Sequence, residues 1–144
     1  MTEHRFLRRH ALALWAALLV PGACSLPGAA PGPNLQITGT RIENRGQAWL
    51  AAVRVIVPVT GNFVSCGNIA PQGECSTSFP ELAYSGNPVE VSWSQGGEIW
   101  STGLLELQPD AAVRDAGAAL VQVVIVGPGR AGVVLLPVTG KEAP

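Results

Sequence analysis

The side chains able to do chemistry are few, and their positions close off most reaction types. Histidine occurs only as His4 and His10. Beyond them no Ser-His-Asp or Cys-His arrangement and no imidazole metal site can be built. Three carboxylates, Glu90, Glu98 and Glu106, fall on segments that read as adjacent strands. A pair of them flanking a glycosidic bond is the arrangement glycan hydrolysis needs. Their outward places in alternating strands predict solvated carboxylates instead, with nothing to drive two pKa values apart. Asp110 and Asp115 lack the ligand register of a calcium loop. Gly127-Pro128-Gly129-Arg130 lacks the Gly-Lys-Ser/Thr ending of a phosphate loop. Trp93 and Trp100 flank a Gly96-Gly97 hairpin signal and are the candidate ligand contacts, able to stack on a sugar ring if they share an exposed face. Packing is the commoner role for aromatics so placed. No catalytic residue, metal ligand or cofactor is assigned.

The elements that must position these residues start after an export signal. Arg5, Arg8 and Arg9 precede the apolar run Ala11–Val20, which ends on Gly22-Ala23. A charged start, an apolar middle and a small-residue end predict a secretory signal over 1–23. The run is about half the length of a membrane span. Export places Cys66 and Cys75 in an oxidising compartment, where a disulfide between them is expected. Its ten-residue loop predicts roughly 2.5–3 kcal/mol of stabilisation.

That pairing leaves Cys24 over, directly after Gly22-Ala23. The segment resembles the signal of bacterial lipoproteins, in which two small residues precede a lipidated cysteine. Pro21 stands where that family usually has leucine. The resemblance implies a lipid anchor on Cys24, and Ser25 rather than Asp after it implies sorting to the outer membrane. A single acyl chain anchors only marginally, so the family's diacylglyceryl group is the physically sufficient form. The alternative is ordinary cleavage after Ala23, leaving a free thiol. Arg8-Arg9 also leaves a twin-arginine export route beside the general one. Residues 24–33, rich in Pro, Gly and Ala, read as a semi-stiff tether.

The rest is one domain's worth of chain. Without the signal's three arginines and one glutamate, six basic and nine acidic residues remain, a net charge of about −3. That is no footprint for nucleic acid. Val- and Ile-rich segments alternate with period two and are separated by Gly, Pro and Asn turns. The clearest runs from Trp49 to Val57, with Trp49 expected in the core beside Val53, Val55 and Val57. Others are Leu35–Thr38, Ser76–Phe79 stopped by Pro80, Val89–Ser94, Ile99–Leu107 and Val133–Leu136. Ala119–Val126 is apolar on both faces and predicts a doubly covered central strand. Ala111–Ala118 is the one stretch suited to a helical turn. Ser76–Phe79 and Val133–Leu136 are candidate edge strands for pairing with a partner. Seven to eight short antiparallel strands predict an all-β sandwich over 34–138, followed by a loose tail over 139–144.

Ile42-Glu43-Asn44-Arg45-Gly46 and Val89-Glu90-Val91-Ser92-Trp93 resemble an opening and a central strand of bacterial immunoglobulin-like adhesion-type modules. The resemblance implies an immunoglobulin-like sandwich serving as a binding or spacer domain. The expected function is a non-catalytic binding or structural module of the bacterial envelope. It is exported to the periplasm and anchored in the outer membrane through Cys24, with other envelope proteins or the cell wall as partners. The alternatives are a carboxylate-based glycan hydrolase and a soluble periplasmic assembly factor.

Overall fold

The computed structural model describes residues 34–140, so the expected signal, tether and the last four residues of the tail lie outside the described residues. Eight strands form two four-stranded sheets. In chain order they are β1 (Gln36–Asn44), β2 (Leu50–Val57), β3 (Asn62–Ile69), β4 (Glu74–Ala83), β5 (Val89–Gln95), β6 (Glu98–Leu105), β7 (Ala118–Gly127) and β8 (Arg130–Pro137). One sheet has the order β4-β1-β7-β8, the other β3-β2-β5-β6. Ile42, Val123 and Ile125 of the first sheet and Val53, Val91 and Trp93 of the second are fully buried and form the core. Every strand, the core and the disulfide fall inside one compact unit, Pro31–Pro144.

The fold is all-β, but one pairing departs from the expected antiparallel pattern: β1 runs parallel to β7. The two are far apart in sequence, so no hairpin signal could announce their pairing. The helical turn forms as α1 (Ala111–Ala116). The Asp110 side chain caps it by accepting from the Val113 N–H at 2.8 Å, and Gly117 ends it at φ 69°. Val113 is buried and plugs the end of the sandwich where β1 begins.

Three local irregularities overturn expectations drawn from strict alternation. In β2, Ala52 sits at φ 50° and the register with β3 shifts between Leu50 and Val53. One extra residue flips the alternation. Leu50 therefore enters the core, while Trp49, expected there, is 63% exposed. In β6, Gly103 at φ 64° does the same between Ser101 and Leu104, which turns Leu104 out to solvent. In β4, Pro80 does not stop the strand. Pairing with β1 jumps from Gly39–Ser78 to Ile37–Leu82, so Pro80 falls in the bulge where no ladder hydrogen bond is required of it. A Cβ at Gly39 would lie 2.6 Å from the Thr77 carbonyl oxygen, so only glycine fits the close approach of β1 and β4. Ala119–Val126 is central in its sheet but covered fully on one face alone, for Val126 is exposed.

Cys66 and Cys75 are bonded, with Cα atoms 6.1 Å apart. What read as a cysteine loop is the end of β3, a tight turn and the start of β4. Because these strands belong to different sheets, the bond staples one sheet to the other. Beside it lies Asn44, 1% exposed. Its Nδ2 donates to the carbonyls of Ala48 (2.9 Å), Ile69 (3.2 Å) and Ala70 (2.9 Å), and its Oδ1 accepts from the Gly46 N–H at 3.0 Å. Its backbone N–H donates to Gly73. The Asn-x-Gly signal is thus a buried hub joining β1, the β1–β2 loop and the β3–β4 turn.

Two outcomes follow for stability. Replacing both Cys66 and Cys75 by alanine should lower the unfolding free energy in urea by about 2.5–3 kcal/mol. Asn44→Ala should lower it by about 3 kcal/mol, since several buried carbonyls and an N–H lose their partner together.

Candidate functional site

A sandwich has two side seams where the sheets' edge strands face each other, and here they differ. At the β6–β8 seam, the Trp100 ring lies against Gly129, where a Cβ would come within 3.3 Å of it. The β3–β4 seam is closed at one end by the disulfide and the Asn44 hub. Toward the end where β1 begins, the seam is not closed and leaves a cleft of about 680 Å³. Its floor is the edge of the core: Ile37 and Val121 from one sheet, Val55, Val57 and Val89 from the other, and Leu107. Its walls are the first half of β3, with Phe63 and Val64, and the far part of β4, with Leu82 and Ala83. Thr60 from the β2–β3 turn, Asn62 at the start of β3, and Ser85 and Asn87 from the β4–β5 loop add neutral hydrogen-bonding groups at its mouth, and Thr40, Ser65 and Thr77 add hydroxyls further along the lining.

The local sequence explains the geometry. β3 alternates weakly: Val64 and Cys66 are half-buried, and while Cys66 meets Cys75 across the seam, Val64 borders the open cleft. On its outer face the Arg54 guanidinium lies 4.7 Å from the centre of the Phe63 ring, a cation–π contact at the cleft's lip. The β4–β5 loop is held by Tyr84. Its N–H donates to the Leu35 carbonyl at 2.8 Å, and its hydroxyl donates to the Leu107 carbonyl. Burial pushes the Tyr84 phenol above its ordinary value, and nearby Glu106 adds to this.

None of the cleft's lining residues is charged. Concave, mostly apolar sites of roughly 300–1,000 Å³ with a few polar groups are typical of small-molecule binding. The arrangement can hold an apolar group; it offers no acid, base or nucleophile beyond hydroxyls.

The residues singled out from the sequence lie elsewhere. Trp93 and Trp100 are direct cross-strand partners. Trp93 is 1% exposed, a core residue, and Trp100 is half-buried against it and Gly129. They do not make an exposed stacking face, because the β5–β6 pairing turns both rings inward. Their indole N–H groups find no acceptor among the described residues. Glu90 is half-buried and accepts from the Ser101 hydroxyl, while Glu98 and Glu106 are exposed. Glu90 pairs with Leu104, six residues along β6 from Glu98. With the Gly103 bulge taking up one residue, five strand steps separate them, ~17 Å, well outside the ~5–9.5 Å of a glycosidase pair. Asp110 is used as a helix cap. No group of three His, Cys, Asp or Glu able to hold a metal occurs among the described residues. β4 and β8 are edge strands, as expected of Ser76–Phe79 and Val133–Leu136. No described helix is long and apolar enough to cross a membrane. The cleft was not foreseen; its one sequence signal was the poor alternation of 62–69.

The Tyr84 shift sets a pH dependence. The unfolded chain releases the phenolic proton near its ordinary value of about 10, whereas the folded chain keeps it to higher pH. The tyrosine's contribution is therefore complete below about pH 10 and lost as pH rises past that value. Tyr84→Phe should remove this loss, and below pH 10 should cost about 1 kcal/mol through the unpaired Leu107 carbonyl, as read by urea unfolding at pH 8 and 10.5.

No protein-family model matches the chain, and no curated protein matches it. Among solved structures it is similar to the NMR structure of the protein from Eubacterium rectale, at 16% identity and a TM-score of 0.44, over 79% of this chain and 98% of that one. No functional reading is drawn from that likeness.

Proposed function

We propose that this chain is a non-catalytic binding module of the bacterial envelope, exported to the periplasm and held at the outer membrane by a lipid on Cys24. Its domain is an immunoglobulin-like sandwich, and its binding element is the cleft between β3 and β4. The observation that carries the reading is the cleft itself: it is mostly apolar, and no charged residue, Glu90, Glu98 and Glu106 included, is part of its lining. The immunoglobulin-like arrangement is supported by the connectivity. β4 returns to β1 after the β2–β3 hairpin, and β5 returns to β2, so the chain crosses between sheets as Greek-key sandwiches do. Export is supported by the Cys66–Cys75 bond, of a kind that persists in oxidising compartments. The anchor rests on Arg5, Arg8, Arg9, the apolar run and Gly22-Ala23-Cys24.

Two measurements test this. Mass analysis of the protein from cell membranes should find a chain beginning at a diacylglyceryl-modified Cys24, and Cys24→Ser should move the protein out of the membrane fraction. An unmodified Cys24 in a soluble protein would overturn the anchor. Separate Glu90→Gln, Glu98→Gln and Glu106→Gln variants should be indistinguishable from the parent on peptidoglycan fragments, with no glycan turnover in any; turnover abolished by one of them would overturn the non-catalytic reading.

A further inference from the structure

Resting on the binding-module reading, we propose that the cleft between β3 and β4 takes a single long-chain acyl group, tail first, through the end of the sandwich where β1 begins. Four observations select this occupant. The floor is hydrocarbon from both sheets, and no lining residue carries a formal charge, so nothing favours a charged ligand inside. Among the described residues, the buried side-chain atoms without a hydrogen-bond partner belong to Arg41, Trp93, Gln95, Trp100 and Gln122, none of which lines the cleft. An inserted peptide would need a partner for each of its N–H and C=O groups, more than Thr40, Ser65 and Thr77 in the lining can supply; an acyl chain needs none.

Third, the lip carries exposed apolar side chains, with the Arg54 guanidinium stacked on one of them, Phe63. Phe63 and Leu82 line the cleft yet are largely exposed, and Val59 in the adjoining β2–β3 turn is 70% exposed. Exposed apolar side chains gathered at the mouth of an apolar cleft suit an amphiphile arriving from a membrane or a micelle. Thr60, Asn62, Ser85 and Asn87 supply neutral hydrogen-bonding groups for a carboxylate or glycerol head. Fourth, the described chain begins at this end. The Tyr84 N–H on the cleft's far loop donates to Leu35, the second described residue. Cys24 lies ten residues before Asn34, and a Pro-rich segment of that length in a polyproline conformation would span ~31 Å. A lipid on Cys24 would therefore keep the cleft's end within reach of the bilayer surface.

The test uses the chain from residue 24 onward with Cys24→Ser, which keeps the whole compact unit, and titrates it with cis-parinaric acid, displaced by octanoate, decanoate and laurate below their micelle concentrations. Saturable binding of one probe per domain is expected. Displacement should tighten about fourfold per added methylene, or about fifteenfold for each two-carbon step, until the cleft is filled. Leu82→Glu should weaken laurate binding at least tenfold. Ala83→Trp, which narrows the cleft without adding charge, should do the same if Leu82→Glu fails to fold. Val134→Glu, exposed on β8 and outside the lining, should change nothing. Equal affinity for octanoate and laurate, equal weakening by Val134→Glu, or displacement by an extended apolar peptide but not by laurate would overturn the proposal, the last pointing to strand addition. Because the titrated chain cannot be lipidated, failure here leaves the anchor reading standing, and an unmodified native Cys24 leaves the titration valid.

Discussion

The structure depends on one buried amide. Asn44 lies where β1 ends and where two other segments, the β1–β2 loop and the β3–β4 turn, must be brought together. Loop carbonyls cannot be buried unpaired. A side chain offering two donors and one acceptor on a short stem satisfies carbonyls from both segments at once, where a hydrophobic residue would satisfy none. Gln72 repeats the device from the other side, donating to the carbonyls of Arg45 and Gly46 at 3.0 Å. The hub fixes the point at which the chain passes from one sheet to the other. The Cys66–Cys75 bond then acts on strands already in place. Hub and bond lie at the same end of the β3–β4 seam, so one end of that seam is over-determined and the other is left without a tie.

This asymmetry makes the cleft. Two twisted sheets facing each other diverge at their corners unless side chains fill the space between them. At the β6–β8 edge a tryptophan fills it, and Gly129 lets the ring come close. At the β3–β4 edge the corresponding wall positions are Val64, Ser65, Thr77 and Ala83, all smaller. The walls therefore do not meet, and Val55, Val89, Leu107 and Val121 remain slightly exposed at the floor where full burial would add to stability.

Much of the architecture was legible in the residues. Period-two runs marked the strands, Gly and Asn marked the hairpins, and the closely spaced Cys66 and Cys75, behind an expected export signal, marked the disulfide. What escaped has physical causes. A bulge costs one residue and leaves no hydrophobic mark, yet it inverts everything before it; hence Trp49 lies outside and Leu50 inside. The parallel β1–β7 pair joins distant segments, and only the assembled sheet reveals it. Asn44 was visible as a turn signal, but its role as a hub depends on carbonyls some 25 residues away. The cleft was the least legible feature, for it consists of contacts that are not made, and alternation reports only which face turns inward, not whether anything meets it.

Trp93 illustrates why residue type alone misplaces a site here. A tryptophan beside a glycine hairpin has the chemistry of a sugar platform, but its large apolar area is the strongest reason for the sheets to face each other at that point. Burying it uses the aromatic that might have bound a ligand to build the core instead. The proposed binding surface is then left to residues of ordinary chemistry: valine, leucine, threonine, asparagine. With no charged group in the lining, discrimination in the proposed site would come from shape and from the removal of hydrocarbon from water. Such a site would separate ligands by chain length and by the absence of internal polar groups. That would be selectivity of a coarse kind, in keeping with a lining that holds no carboxylate or guanidinium group, Asp110 being used instead as a helix cap.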